Sequence, residues 1–163
     1  MSEFEIKEFN PTFITSSAAL NELWVGDKKG SVYVLDGNTF ETKNVIEKKH
    51  NHGISTMTTS VDGKLVASGD SYRYIYVFNS ETKEEVGCFP YHSAKVLSLD
   101  FSRDSQLLLT TCADFNMGVA NLSNKSKIVI ERPNEKDITA AIFDDENRLL
   151  STGLDCSIRI WSK

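Results

Sequence analysis

His92, Thr110 and Asp114 are an imidazole, a hydroxyl and a carboxylate, the three group types from which hydrolases assemble a base, a nucleophile and an orienting acid. Ser151 and Asp155 offer part of the same constellation further along the chain. His50-Asn51-His52 presents two metal-ligand types one residue apart, and Asp144-Asp145-Glu146 has the composition of a calcium loop or an acid/base pair. Three cysteines, Cys88, Cys112 and Cys156, complete the inventory of reactive side chains.

Most of these candidates lack a necessary neighbour. No carboxylate or cysteine flanks His50-Asn51-His52 to finish a tetrahedral metal site, so the stretch from Lys48 to His52 reads as a polar, solvated connecting loop. The cysteines are odd in number and show no C-x-x-C spacing. They read as small semi-buried side chains in the reducing cytoplasm, with neither a disulfide framework nor a zinc site. Gly26, Gly30 and Gly37 precede no helical pattern, which a phosphate cradle requires. Asp144-Asp145-Glu146 falls where Val61-Asp62-Gly63 and Arg103-Asp104-Ser105 fall in earlier copies of a repeat, and so reads as a hairpin turn.

That repeat is the strongest signal in the chain. Leu23, Leu65, Leu107 and Leu149 stand 42 residues apart, each at the head of a short apolar run, and Ile54, Val96 and Ile138 keep the same step. A period of about 40–45 residues is that of four-stranded propeller blades of the WD type. The second copy shows the unit plainly. GISTMTTS alternates like an inner strand, the Asp62-Gly63 turn leads into LVASG, then a loop at Asp70–Arg73 into YIYVFN, and KEEVGCF is a more polar outer strand. AKVLSLDFS, LLLTTC, MGVANL and KIVIERP repeat the scheme, and DITAAIFD, LLSTG and SIRIWSK repeat it again without an outer strand. The first copy, from TFITSSA to TKNVIEKK, is looser and is preceded by a spare strand at residues 4–9.

The expected fold is therefore an all-β propeller of about four WD40-type blades. The expected limits are 3–48 with the spare strand, 49–90, 91–134 and 135–163. A lone blade cannot bury both faces of its sheet, so blades stack and the array must protect its ends. Four copies leave three arrangements open: a compact ring, half of a dimeric eight-bladed ring, or part of a larger ring. Residues 4–9 would complete the fourth blade or the same place in a second copy.

Composition narrows the partners. The net charge is −5, which offers no basic face for nucleic acid or an anionic membrane. No run approaches the roughly 20 apolar residues of a membrane span, and MSEFEIKEF alternates where a secretory signal needs a continuous apolar core.

YHSAKVLSLDFSRD, LLTTCADFNMGVANL and NRLLSTGLDCSIRIW resemble WD repeats in register with one another. That resemblance gives the would-be triad a structural meaning. In such repeats a His before the inner strand, a Ser or Thr in the second strand, an Asp in the next loop and a Trp ending the third strand share buried hydrogen bonds. The third copy supplies His92, Thr110 and Asp114, with Ala120 in the Trp place. The fourth supplies Ser151, Asp155 and Trp161, with Asn134 in the His place. The second keeps His50 alone of the polar members, with Phe78 at the aromatic position. Residues 20–163 are further similar to the C-terminal repeats of the actin-interacting protein 1 family, through the longer loop after Asp70, the His92-Ser93-Ala94-Lys95 entry and the ending on Trp161. That likeness implies a cytoplasmic, cytoskeleton-associated function alongside cofilin in dismantling actin filaments.

The resulting expectation is a non-enzymatic interaction module that binds actin and cofilin, with no cofactor and no metal. A scaffold subunit of another complex is the alternative, and a propeller hydrolase a further one. The inner strands offer Ile54, Met57, Val96, Leu97, Leu99 and Ile138 to a central channel, where a hydrolase would need ionisable groups. A partner is expected on the rim that carries Tyr72, Arg73, Tyr74, Tyr91 and Phe115, since Tyr and Arg are enriched among interface hot spots.

Overall fold

The computed structural model describes Phe9–Trp161, and every regular element in it is a strand. β1 (Pro11–Ser17), β2 (Glu22–Asp27), β3 (Val32–Asp36) and β4 (Thr42–Ile46) form one antiparallel sheet. β5 (Ile54–Thr59), β6 (Leu65–Asp70), β7 (Ile75–Asn79) and β8 (Glu85–Cys88) form the second. β9 (Val96–Phe101), β10 (Leu107–Cys112), β11 (Asn116–Asn121) and β12 (Lys127–Glu131) form the third. The fourth has three strands, β13 (Ile138–Phe143), β14 (Leu149–Gly153) and β15 (Ile158–Trp161), so the outer edge of β15 is unpaired among the described residues. Each sheet is a blade. Inner strands β1, β5, β9 and β13 touch in that order, and the sheets do not close into a ring. The all-β propeller architecture expected from the repeat is thus present as an open arc. The spare strand expected at 4–9 lies, apart from Phe9, outside the described residues.

Turn chemistry sets each first hairpin. Asn21, Gly63, Ser105 and Asn147 hold φ of 49°, 72°, 57° and 57°, a left-handed conformation repeated every 42 residues. Gly63 adopts it without a Cβ penalty, and Asn tolerates it better than most residues. Ser105 has neither advantage.

The leucine ladder conceals a slip. Leu23 pairs with Leu35 and Leu149 with Trp161, but in the middle blades the same places belong to Val66, opposite Phe78, and Leu108, opposite Ala120. At 65 and 107 the equal spacing falls one residue earlier, on strand starts that face Asn79 and Asn121 as Glu22 faces Asp36 in blade 1. The second ladder keeps its structural place: Ile54, Val96 and Ile138 each pair at the far end of the second strand, with Asp70, Cys112 and Gly153.

Cores form between blades. Trp24, Val32 and Val34 meet Ile54, Met57, Val66 and Phe78. Ala67, Ile75 and Val77 meet Val96, Leu99, Phe101 and Leu108. Leu109 and Met117 meet Ile138, Ala141 and Phe143. Ile54, Met57, Val96, Leu99 and Ile138 therefore do not line a channel, as the sequence suggested. Side chains stand perpendicular to a sheet, so those of an inner strand enter the contacts with neighbouring blades. Polar bonds add register between blades: Ser55 donates to the Val96 carbonyl at 2.7 Å, and the Phe143 amide donates to Asp100 at 2.7 Å. Lys83 of blade 2 reaches Glu22 of blade 1 at 2.5 Å and stands 5.0 Å over the Trp24 ring.

Candidate functional site: buried polar triads and the rim above them

Blade 2 contains a complete triad. His50 Nε2 lies 2.7 Å from Ser68 Oγ and its Nδ1 lies 3.2 Å from Asp70 Oδ2. The other Asp70 oxygen accepts the amides of Tyr72, Arg73 and Tyr74 at 2.9, 2.7 and 2.9 Å. Burial works against the Asp70 charge, but the His50 imidazole and these three amides outweigh it and hold the carboxyl below its ordinary value. Two expectations are corrected here. His50 is not in a solvated loop, since it is 1% exposed. Nor is it the sole polar member, because Ser68 and Asp70 complete the set. The signal was in the spacing: 18 residues separate His50 from Ser68 and likewise His92 from Thr110. The loop after Asp70 is not longer than its counterpart, since the pairs Gly69–Ile75 and Thr111–Met117 close loops of equal length. The match was hidden because Asp70 ends β6 where Cys112 ends β10, two residues before the place of Asp114.

Blade 3 brings His92, Thr110 and Asp114 together as expected. His92 Nε2 is 2.8 Å from Thr110 Oγ1, and its Nδ1 is 3.1 Å from Asp114 Oδ2. A neutral imidazole that donates from Nδ1 to the carboxylate accepts the threonine proton at Nε2. Burial pushes His92 below its ordinary value despite the aspartate. Asp114 is pushed up by burial but held low by the Ser93 amide and by His92. Tyr91 joins this network, its hydroxyl 2.9 Å from Thr110 Oγ1, and burial drives that phenol up to about 12. Its ring lies against Gly118, where a Cβ would come within 2.3 Å of it. Gly118 faces Thr110 across the ladder as Tyr76 faces Ser68 in blade 2. Tyr76 packs edge-on against His50 at 4.7 Å. The phenol that blade 2 keeps on its third strand thus comes in blade 3 from the preceding connector.

Blade 4 uses an amide in place of the imidazole. Asn134 Oδ1 accepts the Ser151 hydroxyl at 2.9 Å, and Asn134 Nδ2 donates to Ser157 Oγ at 3.1 Å and Asp155 Oδ1 at 3.5 Å. Trp161 Nε1 donates to Ser151 Oγ at 3.1 Å. The Ser157 hydroxyl holds Asp155 far below the ordinary carboxylate range against the effect of burial, helped by the Glu135 and Ser157 amides. Ser151, Asp155 and Trp161 therefore meet as expected, and Asn134 fills the gap.

The His–Ser–Asp connectivity is that of a hydrolase, but the groups are sealed. Ser68, Thr110 and Ser151 are each 0% exposed, which leaves no path for a substrate carbonyl. Such networks satisfy buried polar groups and pin strand ends. His92, Cys112 and Asp114 place three donor atoms within 4.8 Å of one another. Hydrogen bonds already occupy both His92 nitrogens and both Asp114 oxygens, and burial lifts the Cys112 thiol to about 12, away from the thiolate a metal binds. Cys88 is half-buried, whereas Cys156 is exposed, contrary to the semi-buried expectation. Asp144 takes the turn role expected of it, accepting the Glu146 and Arg148 amides at 2.9 and 2.8 Å.

Above the triads lies the rim. The three amide bonds to Asp70 fix the loop that presents Tyr72, Arg73 and Tyr74. Arg73 stands 5.6 Å over the Tyr72 ring and 5.0 Å over that of Tyr74, and donates to the Tyr74 hydroxyl at 3.1 Å. His52 stacks on Tyr72 at 4.8 Å, a member the sequence reading left out. Tyr72 is 50% exposed. Phe115 also reaches the surface, under Arg132 at 5.9 Å, on the corresponding loop of blade 3. Tyr91 does not belong to this rim, because its ring and hydroxyl are spent inside blade 3.

Sequence comparison agrees with this architecture. The profile described as WD domain, G-beta repeat matches residues 42–79, 83–119 and 125–162. Each match starts at an outer strand and ends at the third strand of the next blade, so one sequence repeat bridges two sheets. The chain is 31% identical over 159 residues to the 66 kDa stress protein of Physarum polycephalum, covering 95% of this chain and 26% of that protein. It is 26% identical to actin-interacting protein 1 of Drosophila melanogaster, over 94% of this chain and 26% of the relative. Echinoderm microtubule-associated protein-like 4 of Xenopus tropicalis is 30% identical over 73% of this chain and 13% of its own length. The chain thus spans about a quarter or less of these relatives. A solved structure of U3-55K superposes with a TM-score of 0.86 at 20% identity, over 98% of this chain and 50% of that one. On the repeat profile and the blade architecture together, the chain belongs to the WD40-repeat family.

Proposed function

We propose that this WD40 protein-interaction module is a non-enzymatic binder of actin filaments that carry cofilin, working in the cytoplasm and contacting them through the rim at His52, Tyr72, Arg73 and Tyr74. The observation that carries the reading is the Arg73 clamp. An exposed guanidinium held between two tyrosine rings, on a loop tied down by three amide bonds to Asp70, is ordered before any partner arrives. Preordered Tyr and Arg side chains lose little conformational freedom on binding, which is how interface hot spots gain their energy.

The choice of partner is supported by relatives named for actin interaction in Drosophila melanogaster and Arabidopsis thaliana, which align over 94% and 96% of this chain. The relatives named for microtubule association align over 70–73% of it. Absence of enzymatic activity is supported by the sealed triads. Co-sedimentation with actin filaments, with cofilin-decorated filaments and with microtubules tests the reading. Pelleting with decorated filaments is expected; pelleting with none of the three favours the scaffold alternative, and pelleting with microtubules alone replaces actin.

A further inference from the structure

The net charge of −5 is unevenly spread over this chain. Three loops where blades 1 and 2 meet collect cations. The loop between β2 and β3 carries Lys28 and Lys29, the connector from β4 to β5 carries Lys48 and His52, and the loop after Asp70 carries Arg73. All five side chains are exposed. Backbone bonds tie the loops into one surface. The His50 amide donates to the Gly30 carbonyl at 3.1 Å, the Ser71 amide to the Gly53 carbonyl at 2.9 Å, and the Lys48 amide to Ser31 Oγ at 3.1 Å. A Cβ on Gly30 would lie 2.1 Å from the His50 carbonyl oxygen, so the first two loops touch main chain to main chain. This platform sits over a contact internal to the arc and is the same whatever adjoins either end.

The carboxylates of these loops are withdrawn from the surface. Asp27 is 1% exposed and spends Oδ1 on the Lys29 and Ser31 amides, both at 2.8 Å. Asp70 is buried and likewise spent on loop amides. Glu47 is then the one exposed acid on the three loops. Lys49, on the same connector, is already matched by Glu85 at 2.5 Å. On the opposite rim Lys43, Lys83, Arg103 and Arg148 each meet a carboxylate. Among the described residues, no ion pair engages Lys28, Lys29, Lys48 or Arg73.

We propose that this platform binds an acidic, extended peptide segment of the protein partner, with carboxylates set against Lys28 and Lys29 at one end and Arg73 at the other. Packed sheets lie about 10 Å apart, which three extended residues span at about 3.3 Å each. Arg73 spends one donor on the Tyr74 hydroxyl and is held between two rings, so its other donors are presented in a fixed orientation, as a carboxylate requires. A nucleic acid or an anionic bilayer would extend beyond so small a patch onto a chain of net negative charge, whereas a short peptide meets the patch alone. The proposal rests on the rim being the binding surface, and not on actin being the partner.

Fluorescence polarisation on the intact chain tests it, with a labelled peptide of alternating glutamate and serine and a twin carrying glutamine for glutamate. Binding of the glutamate peptide alone is expected at about 50 mM salt, weakening toward about 200 mM as the charges are screened. Lys28→Glu with Lys29→Glu should weaken it at least about tenfold, since like charges then face each other. Lys64→Glu with Lys125→Glu makes the same change of net charge on the opposite rim and should leave it unchanged. No binding of the glutamate peptide, equal binding of both peptides, or equal loss in both variants overturns the proposal. So does tighter binding of phosphatidylserine vesicles or of oligothymidylate than of the peptide. Peptide binding without pelleting on any filament would keep this proposal and remove actin. Pelleting on decorated filaments that Lys28→Glu with Lys29→Glu leaves intact would do the reverse.

Discussion

Asn134 accepts the Ser151 hydroxyl at 2.9 Å where His92 meets Thr110 at 2.8 Å, so one buried position in this fold works with either an amide or an imidazole. What the position requires is an acceptor for the hydroxyl and a donor for the loop aspartate. Charge and nucleophile activation are not part of the requirement.

This equivalence predicts graded effects at His92. His92→Ala would leave Thr110 to Tyr91 and Asp114 to the Ser93 and Asn116 amides, and losing the two buried bonds of the imidazole costs about 1–3 kcal/mol. His92→Asn would rebuild the arrangement of blade 4 and recover most of that loss. Thermal melts of the two variants check the order. Equal losses would show that the imidazole itself matters.

Acid sensitivity follows from the direction of the shifts. His92 in the folded protein lies below its ordinary value, so the unfolded chain takes up the proton first as pH falls. Stability is therefore full above the unfolded value of about 6.5 and declines as pH drops through the folded value. Asp70 and Asp114 are lowered too, and add a second decline below their ordinary value of 3.8. His92→Asn should flatten the first decline and leave the second. A melting temperature that rises between pH 6.5 and 5 would contradict this.

Gly118 is expected to resist substitution. An added Cβ would lie 2.3 Å from the Tyr91 ring and 3.0 Å from Thr110 Oγ1, so Gly118→Ala must displace the tyrosine from the core. Overpacking of this kind costs about 1–3 kcal/mol. Tyr91→Phe removes only the hydroxyl bond to Thr110, worth about 0.5–1.5 kcal/mol. Denaturant midpoints should rank the alanine variant below the phenylalanine variant.

Much of the fold was legible because the repeat constrains many residues at once. Ile54, Val96 and Ile138 keep one structural place, and the turn residues fall every 42 positions whether or not they are glycine. The leucine ladder was less faithful. The pairing can shift by one residue while the period stays constant, and only the ladders reveal it: Leu149 pairs six residues back with Phe143, where Val66 and Leu108 pair seven back. An offset of another kind hid Ser68 and Asp70, since Asp70 ends β6 in the place of Cys112, two residues earlier in its blade than Asp114. Tyr91 was misplaced for another reason: its role depends on a vacancy at Gly118, across the sheet and far along the chain. His52 was read by composition as part of a polar loop, and only folding sets it against Tyr72. The direction of side chains on inner strands depends on the radial stacking of sheets, which apolar content alone does not specify.

The central claim is that the clamp around Arg73 is the binding surface, and the most direct measurement is the affinity of an Arg73→Glu, Tyr74→Ala variant for cofilin-decorated actin filaments in co-sedimentation. Arg73 is exposed and Tyr74 half-buried on a loop whose backbone is held by Asp70, so the melting temperature should stay within a few degrees of the parent. Losing two hot-spot side chains should weaken binding at least about tenfold, since each can contribute roughly 2 kcal/mol. Undiminished binding by the folded variant would contradict the account.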